Sequence, residues 1–259
     1  MIIWITGTST GIGEAVAQQF VERGHTVFGT ARSPDTLDAL SKRLRGADGA
    51  FHPIAADVTD ADAMRDAYTT IKQDAGVPDL VIFNAGTYYP TPAQICRTAD
   101  HRQMMEVNYF GVLNGLELVL PDFIDRQGGQ IAIVSSLAGY RGLPTSSAYG
   151  ASKAALINLC ESLQPELIGA SVDLRLINPG FVETPLTDQN SFPMPFLVST
   201  DIAAQRIISG LAGQRFETAF PRRFAWVMKT LRLLPNTLFL RLMRRLVPGD
   251  PVSRPGPQP

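Results

Sequence analysis

The chain is poor in the residues that build metal and disulfide sites, with 2 cysteines and 3 histidines among 259 residues. Cys96 and Cys160 stand far apart with no metal-ligand or redox spacing. That excludes a disulfide framework and points to two reduced thiols in a cytoplasmic protein. His25, His52 and His101 share no pattern, read as surface or structural residues, and give no expected metal site. Charge is sparse too, at 18% of residues with a formal net of −1, which argues against general nucleic-acid binding. No apolar run reaches the ~20 residues that a spanning helix needs. A basic leader is missing as well: Ile2-Ile3-Trp4-Ile5 already reads as a core strand, so no signal peptide is expected. What is left is a chain 45% hydrophobic and long enough for one large α/β domain.

The first segment reads as strand, glycine-rich turn and helix. The turn is Thr6-Gly7-Thr8-Ser9-Thr10-Gly11-Ile12-Gly13. Glycines lacking Cβ let a pyrophosphate approach the backbone, and a helix N-terminus offers free N–H donors and a favourable dipole. A second strand, 25–30, runs into Gly-Thr-Ala-Arg-Ser with no acid to hold a ribose 2′-hydroxyl. Arg32 at that strand end suits the 2′-phosphate of NADP(H) instead. Further strands are expected at 51–56, 80–83, 130–135 and 172–178, with helical patterns near 34–45, 60–74, 99–126 and 147–168. This alternation predicts a doubly wound parallel sheet flanked by helices, with ligands beyond the carboxyl ends of the strands. Tyr149-Gly-Ala-Ser-Lys153 places a phenol and an ammonium on one helix face. A positive charge stabilises a phenolate, so the pair suits acid–base work on an alcohol or carbonyl.

In order along the chain stand Thr6-Gly7-x-x-x-Gly11-Ile12-Gly13, Asp57-Val58, Asn84-Ala85-Gly86, Asn108, Ser135-Ser136, Tyr149-x-x-x-Lys153 and Pro179-Gly180-x-Val182-x-Thr184. Over roughly residues 1–185 the chain thereby resembles the short-chain dehydrogenase/reductase family. The resemblance implies a single Rossmann-type catalytic domain over 1–221. It implies that Tyr149 is the acid that protonates a carbonyl oxygen, or the base in the reverse direction. Lys153 would lower the tyrosine's pKa and hold the nicotinamide ribose. Ser136, 13 residues before the tyrosine as in the family, would bind the substrate oxygen in preference to Ser135. Asn108 would join a water-linked proton relay to the lysine. Asp57 and Val58 would contact adenine, and Asn84, Ala85 and Gly86 would line the adenosine ribose. Pro179, Gly180, Val182 and Thr184 would wall the nicotinamide. Where some NADP-preferring members carry a basic residue in the turn, this chain has Thr10, so the expected preference for NADP(H) over NAD(H) rests on Arg32. A homo-oligomer is implied as well.

Specificity is expected after Thr184, where Leu186 and Phe192-Pro193-Met194-Pro195-Phe196-Leu197-Val198 suit a lid over a hydrophobic pocket. Leu137, Leu143 and Tyr88 add to that wall, and Arg141 is placed near its mouth. The substrate expected is an uncharged hydrophobic ketone, aldehyde or secondary alcohol. Residues 222–246 hold seven of the 23 basic side chains and none of the 24 acidic ones, interleaved with apolar residues. Pro235 is expected to split this basic amphipathic extension into two short helices. Packing over the substrate cleft, on a partner subunit, or peripherally on a membrane are its three readings. The proline-rich 248–259 reads as a tail outside the fold. Two other functions stay open beside the oxidoreductase: a non-catalytic NADP-binding regulatory module, and a membrane-associated scaffold using 222–246.

Overall fold

Along Ile2–Thr6 (β1), Ile3 and Ile5 pack on one face of a sheet and Trp4 on the other, all three fully buried. A strand apolar on both faces needs cover on both. The computed structural model, described for residues 1–189 and 193–247, supplies that cover with helices on either side. β1 lies inside a seven-stranded parallel sheet with Thr26–Ala31 (β2), Ala50–Ala55 (β3), Leu80–Phe83 (β4), Gln130–Val134 (β5), Asp173–Pro179 (β6) and Glu217–Phe220 (β7). The order is β3-β2-β1-β4-β5-β6-β7. The chain therefore winds one way from β1 to β3, then the other way from β4 to β7. The carboxyl ends of β1 and β4 flank the switch point, where such sheets open a crevice.

The connections between strands form the two outer layers. Gly11–Val21 (α1) and Thr200–Leu211 (α7) pack together on the Ile3/Ile5 face, with Pro34–Arg43 (α2) beside them. Ala61–Ala75 (α3), Gly111–Asp125 (α5) and Ser147–Gly169 (α6) cover the other face, where Thr98–Met105 (α4) rests on α6. The Trp4 ring stacks on Tyr68 at 5.6 Å and meets the edge of Phe83 at 6.1 Å. Its Nε1–H donates to Thr30 Oγ1 at 2.8 Å, so the one polar atom of this buried indole is satisfied. Helix starts are marked by caps: the Asp60 carboxylate accepts from the N–H groups of Asp62 and Ala63, and Ser199 Oγ accepts from Ile202. Each cap contributes about 1 kcal/mol.

The strands fall within a residue or so of their predicted bounds. Two elements, α7 and β7, were not anticipated. β7 reads Glu-Thr-Ala-Phe, too short and polar to show a strand pattern. The helix expected over 99–126 is two helices with a wider π turn between them at Glu106–Phe110, which carries Asn108. Beyond β7, Arg222–Leu233 (α8) and Asn236–Arg244 (α9) are separated at Pro235 as expected. Ala225, Met228, Phe239 and Met243 anchor this pair by their burial. The 248–259 stretch lies outside the described residues.

Candidate active site

α6 begins beside the carboxyl end of β5, and this positions Tyr149 and Lys153. One turn apart, Tyr149 and Lys153 share a face, with the Lys153 ammonium 5.7 Å from the centre of the Tyr149 ring. Lys153 is buried and its Nζ donates to the Val134 carbonyl at 2.9 Å, fixing the ammonium at the end of β5. The two serines that follow β5 divide their work. Ser135 Oγ donates to the Lys153 carbonyl at 2.8 Å and braces the helix. Ser136 is the serine that acts on the Tyr149 hydroxyl, lowering its pKa, and its own Oγ donates to the Pro179 carbonyl at 3.4 Å. The Ser136 oxygen also accepts from Ala138 N–H at 3.1 Å, which orients it. Tyr88 packs edge-on against the Tyr149 ring at 5.0 Å.

Burial dominates the electrostatics. It pushes the Tyr149 phenol up to about 12; the Ser136 hydrogen bond works the other way, and Tyr88 adds to the rise. Burial also brings Lys153 down to about 8. The pair at neutral pH is thus a protonated phenol beside a charged ammonium, which is the acid form of the site. The sequence led to the expectation of a phenol lowered by the lysine; burial raises it here instead.

Asn108 is fully buried, and its amide is committed to structure. Its Oδ1 accepts from Thr87 N–H at 2.7 Å, and its Nδ2 donates to the Thr87 carbonyl at 3.0 Å and to Ser152 Oγ at 2.9 Å. Ser152 Oγ in turn donates to the Tyr149 carbonyl at 2.8 Å. The asparagine therefore ties the segment after β4 to α6. A Cβ on Gly86 would stand 3.3 Å from Asn108 Oδ1 and 3.6 Å from Lys153 Nζ, so this glycine keeps the space between them open. Thr87, the anchor of Asn108, was not singled out in the sequence; no local pattern marks it.

The glycine turn is built for close approach. Gly7 (φ +75°) and Gly11 (φ +65°) occupy the left-handed region. A Cβ on Gly7 would fall 2.7 Å from Ala85 Cα. Asn84 Nδ2 donates to the carbonyls of Thr6 and Gly7, each at 3.1 Å, and so locks the turn to β4. Arg32 stands exposed at the end of β2, with no acid in ion-pair range among the described residues. Asp57 accepts from the N–H and hydroxyl of Thr59, a turn that shapes the rim.

One cavity of about 960 Å³ joins these parts, a volume suited to a dinucleotide-sized guest. Every residue expected to hold the cofactor lines it except Gly13. Gly13 packs instead: a Cβ there would sit 2.1 Å from the Gly7 carbonyl oxygen. Asn108 also stays behind the wall. Of the expected substrate residues, Ser136, Leu137, Leu143, Tyr149 and Leu186 line the cavity, as does Tyr88. Phe196 does not; it is 45% exposed and stacks at 6.1 Å on Phe224, which does. Phe192 lies outside the described residues.

The far wall is the C-terminal helix pair. Phe224, Met228 and Leu231 of α8 and Met243 of α9 face the cavity. Their spacing of three and four residues was legible as a helical stripe, although it did not reveal which surface the stripe would meet. Arg141, expected near the pocket mouth, does not line the cavity. Its guanidinium donates to the carbonyls of Leu231 (2.6 Å), Arg232 (3.0 Å) and Leu234 (2.7 Å), and to Asn236 Oδ1 (2.7 Å). It also lies 4.0 Å from the centre of the Phe239 ring. The loop between Ser136 and Tyr149 thereby caps α8 and holds α9.

Comparison with known proteins agrees with this geometry. The family described as short chain dehydrogenase matches residues 1–193. An uncharacterized oxidoreductase of Myxococcus xanthus is 38% identical over 242 residues, covering 93% of this chain and 96% of that protein. A 3-oxoacyl-[acyl-carrier protein] reductase from Brucella melitensis, solved with bound NAD, is 27% identical with a TM-score of 0.75, covering 85% of this chain and 88% of that one. A short-chain dehydrogenase from Sphingobium yanoikuyae in complex with NADPH shares the fold, with a TM-score of 0.79 at 24% identity over 98% of this chain and 99% of that one. The chain belongs to the short-chain dehydrogenase/reductase family of oxidoreductases.

Proposed function

We propose that this enzyme reduces a hydrophobic ketone or aldehyde to its alcohol with NADPH, and runs the reverse reaction when the alcohol and NADP are supplied. The observation that carries this reading is that Tyr149, Ser136 and the buried Lys153 ammonium, 5.7 Å from the Tyr149 ring, line one cavity together with the glycine turn and an apolar wall. When bound, the reduced nicotinamide supplies a hydride. Ser136 donates a hydrogen bond to the substrate oxygen and positions the carbonyl. Tyr149 gives its proton to that oxygen as negative charge develops there. The Lys153 charge stabilises the phenolate left behind, and the same ammonium is placed to hold the ribose hydroxyls. Asn108 positions α6, and with it Tyr149, through Ser152.

The residues fit the cofactor. Gly7 and Gly11 leave room for a pyrophosphate at the start of α1. Asp57 and Val58 would border the adenine, and Val182 and Thr184 the nicotinamide; all four line the cavity. The Brucella neighbour holds NAD and the Sphingobium neighbour NADPH, so their names do not choose between the two. Arg32 supports NADP(H): a guanidinium at the end of β2 with no ion-pair partner among the described residues matches a 2′-phosphate, and β2 ends in no acid to hold a 2′-hydroxyl. The apolar side chains of Leu137, Leu143, Leu186, Phe224 and Met228 select an uncharged, hydrophobic substrate. A panel of carbonyl compounds graded in size and charge, followed by loss of reduced-nicotinamide absorbance, tests the reading. Turnover is expected to rise with apolar surface. Preference for carboxylate-bearing substrates contradicts it.

A further inference from the structure

Of the fifteen large hydrophobic side chains exposed among the described residues, eight fall within 226–247. Trp226 is 72% exposed, Leu233 84% and Leu240 63%. Residues 222–247 carry Arg222, Arg223, Lys229, Arg232, Arg241, Arg244 and Arg245 and no acidic residue. Lys229 pairs with Glu217; the six arginines have no ion-pair partner among the described residues. No described helix is long and apolar enough to cross a membrane. Isolated exposed hydrophobics are ordinary, but a concentrated patch is a docking feature.

We propose that the outer surface of α8 and α9 docks on an anionic lipid bilayer, and that the carbonyl substrate enters the cavity from that bilayer. Short helices with tryptophan and leucine among arginines match a headgroup boundary, with apolar side chains in the acyl region and guanidinium groups on the phosphates. Charge complementarity decides the occupant. A second copy meeting this patch through a two-fold axis would set six arginines against the same six, with no acid to neutralise them. A bilayer of anionic lipid supplies the opposite sign over any contact geometry. Continuity with the site adds the substrate. Val227 and Leu246 are both exposed and line the cavity, so the patch borders its opening. The patch is also held in place. Arg141 grips the α8–α9 turn, and Glu217 holds Lys229, so docking leaves the distance from the roof to Tyr149 fixed. The substrate arm of this proposal rests on the reductase reading; the docking arm does not.

The test uses the full chain and two vesicle preparations, one of phosphatidylcholine alone and one mixed with phosphatidylglycerol. The enzyme is expected to sediment with the mixed vesicles, to do so poorly with phosphatidylcholine alone, and to be released by salt. The triple variant Arg241→Glu, Arg244→Glu, Arg245→Glu is expected to weaken binding roughly a hundredfold or more. Its NADPH affinity and its turnover of a short, water-soluble ketone are expected to match the parent. Its KM for a long-chain ketone dissolved in mixed vesicles should rise while kcat holds. Failure to sediment with mixed vesicles at low salt overturns the proposal, as does equal binding by the triple variant. A dimer that the triple variant dissociates, without vesicle binding, also overturns it and gives the patch to a second copy. If no ketone is reduced by the parent, the reductase reading fails, while vesicle binding still decides the docking.

Discussion

Glu217 and Lys229 join the last strand of the sheet to the α8 wall of the cavity, with Lys229 Nζ 2.5 Å from Glu217 Oε2. The other carboxylate oxygen accepts from Asn178 Nδ2 at 2.7 Å and from the Tyr140 hydroxyl. One carboxylate thus links β6, the loop after Ser136, β7 and α8. Burial raises its pKa, and the hydrogen bonds from Lys229, Tyr140 and Asn178 outweigh that, leaving it below its ordinary value.

Glu217→Gln should therefore cost about 1–3 kcal/mol, the usual loss for a hydrogen-bonded charge at a half-buried site. Because the folded carboxyl titrates below the 4.5 of a free glutamate, its contribution is complete above that pH and is lost as pH falls through the folded value. Denaturant melts of parent and variant should differ at neutral pH and converge in acid. A constant gap across that range would remove Glu217 from the account.

Lys153 sets an alkaline limit. With its pKa brought down to about 8 and the Tyr149 phenol up to about 12, the acid form of the site prevails at neutral pH and below. kcat/KM for NADPH in the reductive direction should be flat below that value and fall as pH rises through about 8, as the ammonium is lost. A profile level to pH about 10 would show that the lysine charge does not govern the reaction.

Arg32→Ala should weaken NADPH by about 1.5–3 kcal/mol, roughly tenfold or more, and leave NADH little changed. Titration of intrinsic fluorescence with each nucleotide measures this. Equal losses for both would mean that Arg32 does not read the 2′-phosphate.

Gly13→Ala forces a Cβ to within 2.1 Å of the Gly7 carbonyl oxygen and 2.4 Å of Asn84 Nδ2. The turn or α1 has to move. The expected result is a loss of about 1–3 kcal/mol in stability together with weaker cofactor binding. Wild-type melting and binding would contradict the packing role assigned to this glycine.

The sequence was informative where chemistry is local. The glycine turn, the Tyr149–Lys153 pair and the strands ending at Asn84 and Ser136 lie close in the chain and follow simple periods, and all of them come together around the cavity. Long-range contacts were invisible. Arg141 was placed near the pocket mouth, yet its partners lie at 231–236, and nothing near 141 signals them. Glu217 drew no notice because its role depends on three residues from three other elements. Gly13 carries the same motif as Gly11, yet faces the Gly7 carbonyl rather than the cavity, a difference of helix phase that spacing alone does not display.

The most direct test is Tyr149→Phe, which removes one hydroxyl and leaves the ring against Tyr88. On a carbonyl substrate established for the parent enzyme, NADPH oxidation should fall by at least about a thousandfold, within the range ascribed to general acid catalysis, while NADPH affinity is retained. Turnover within tenfold of the parent would contradict the assignment of Tyr149 as the proton donor, and with it the mechanism built on this site.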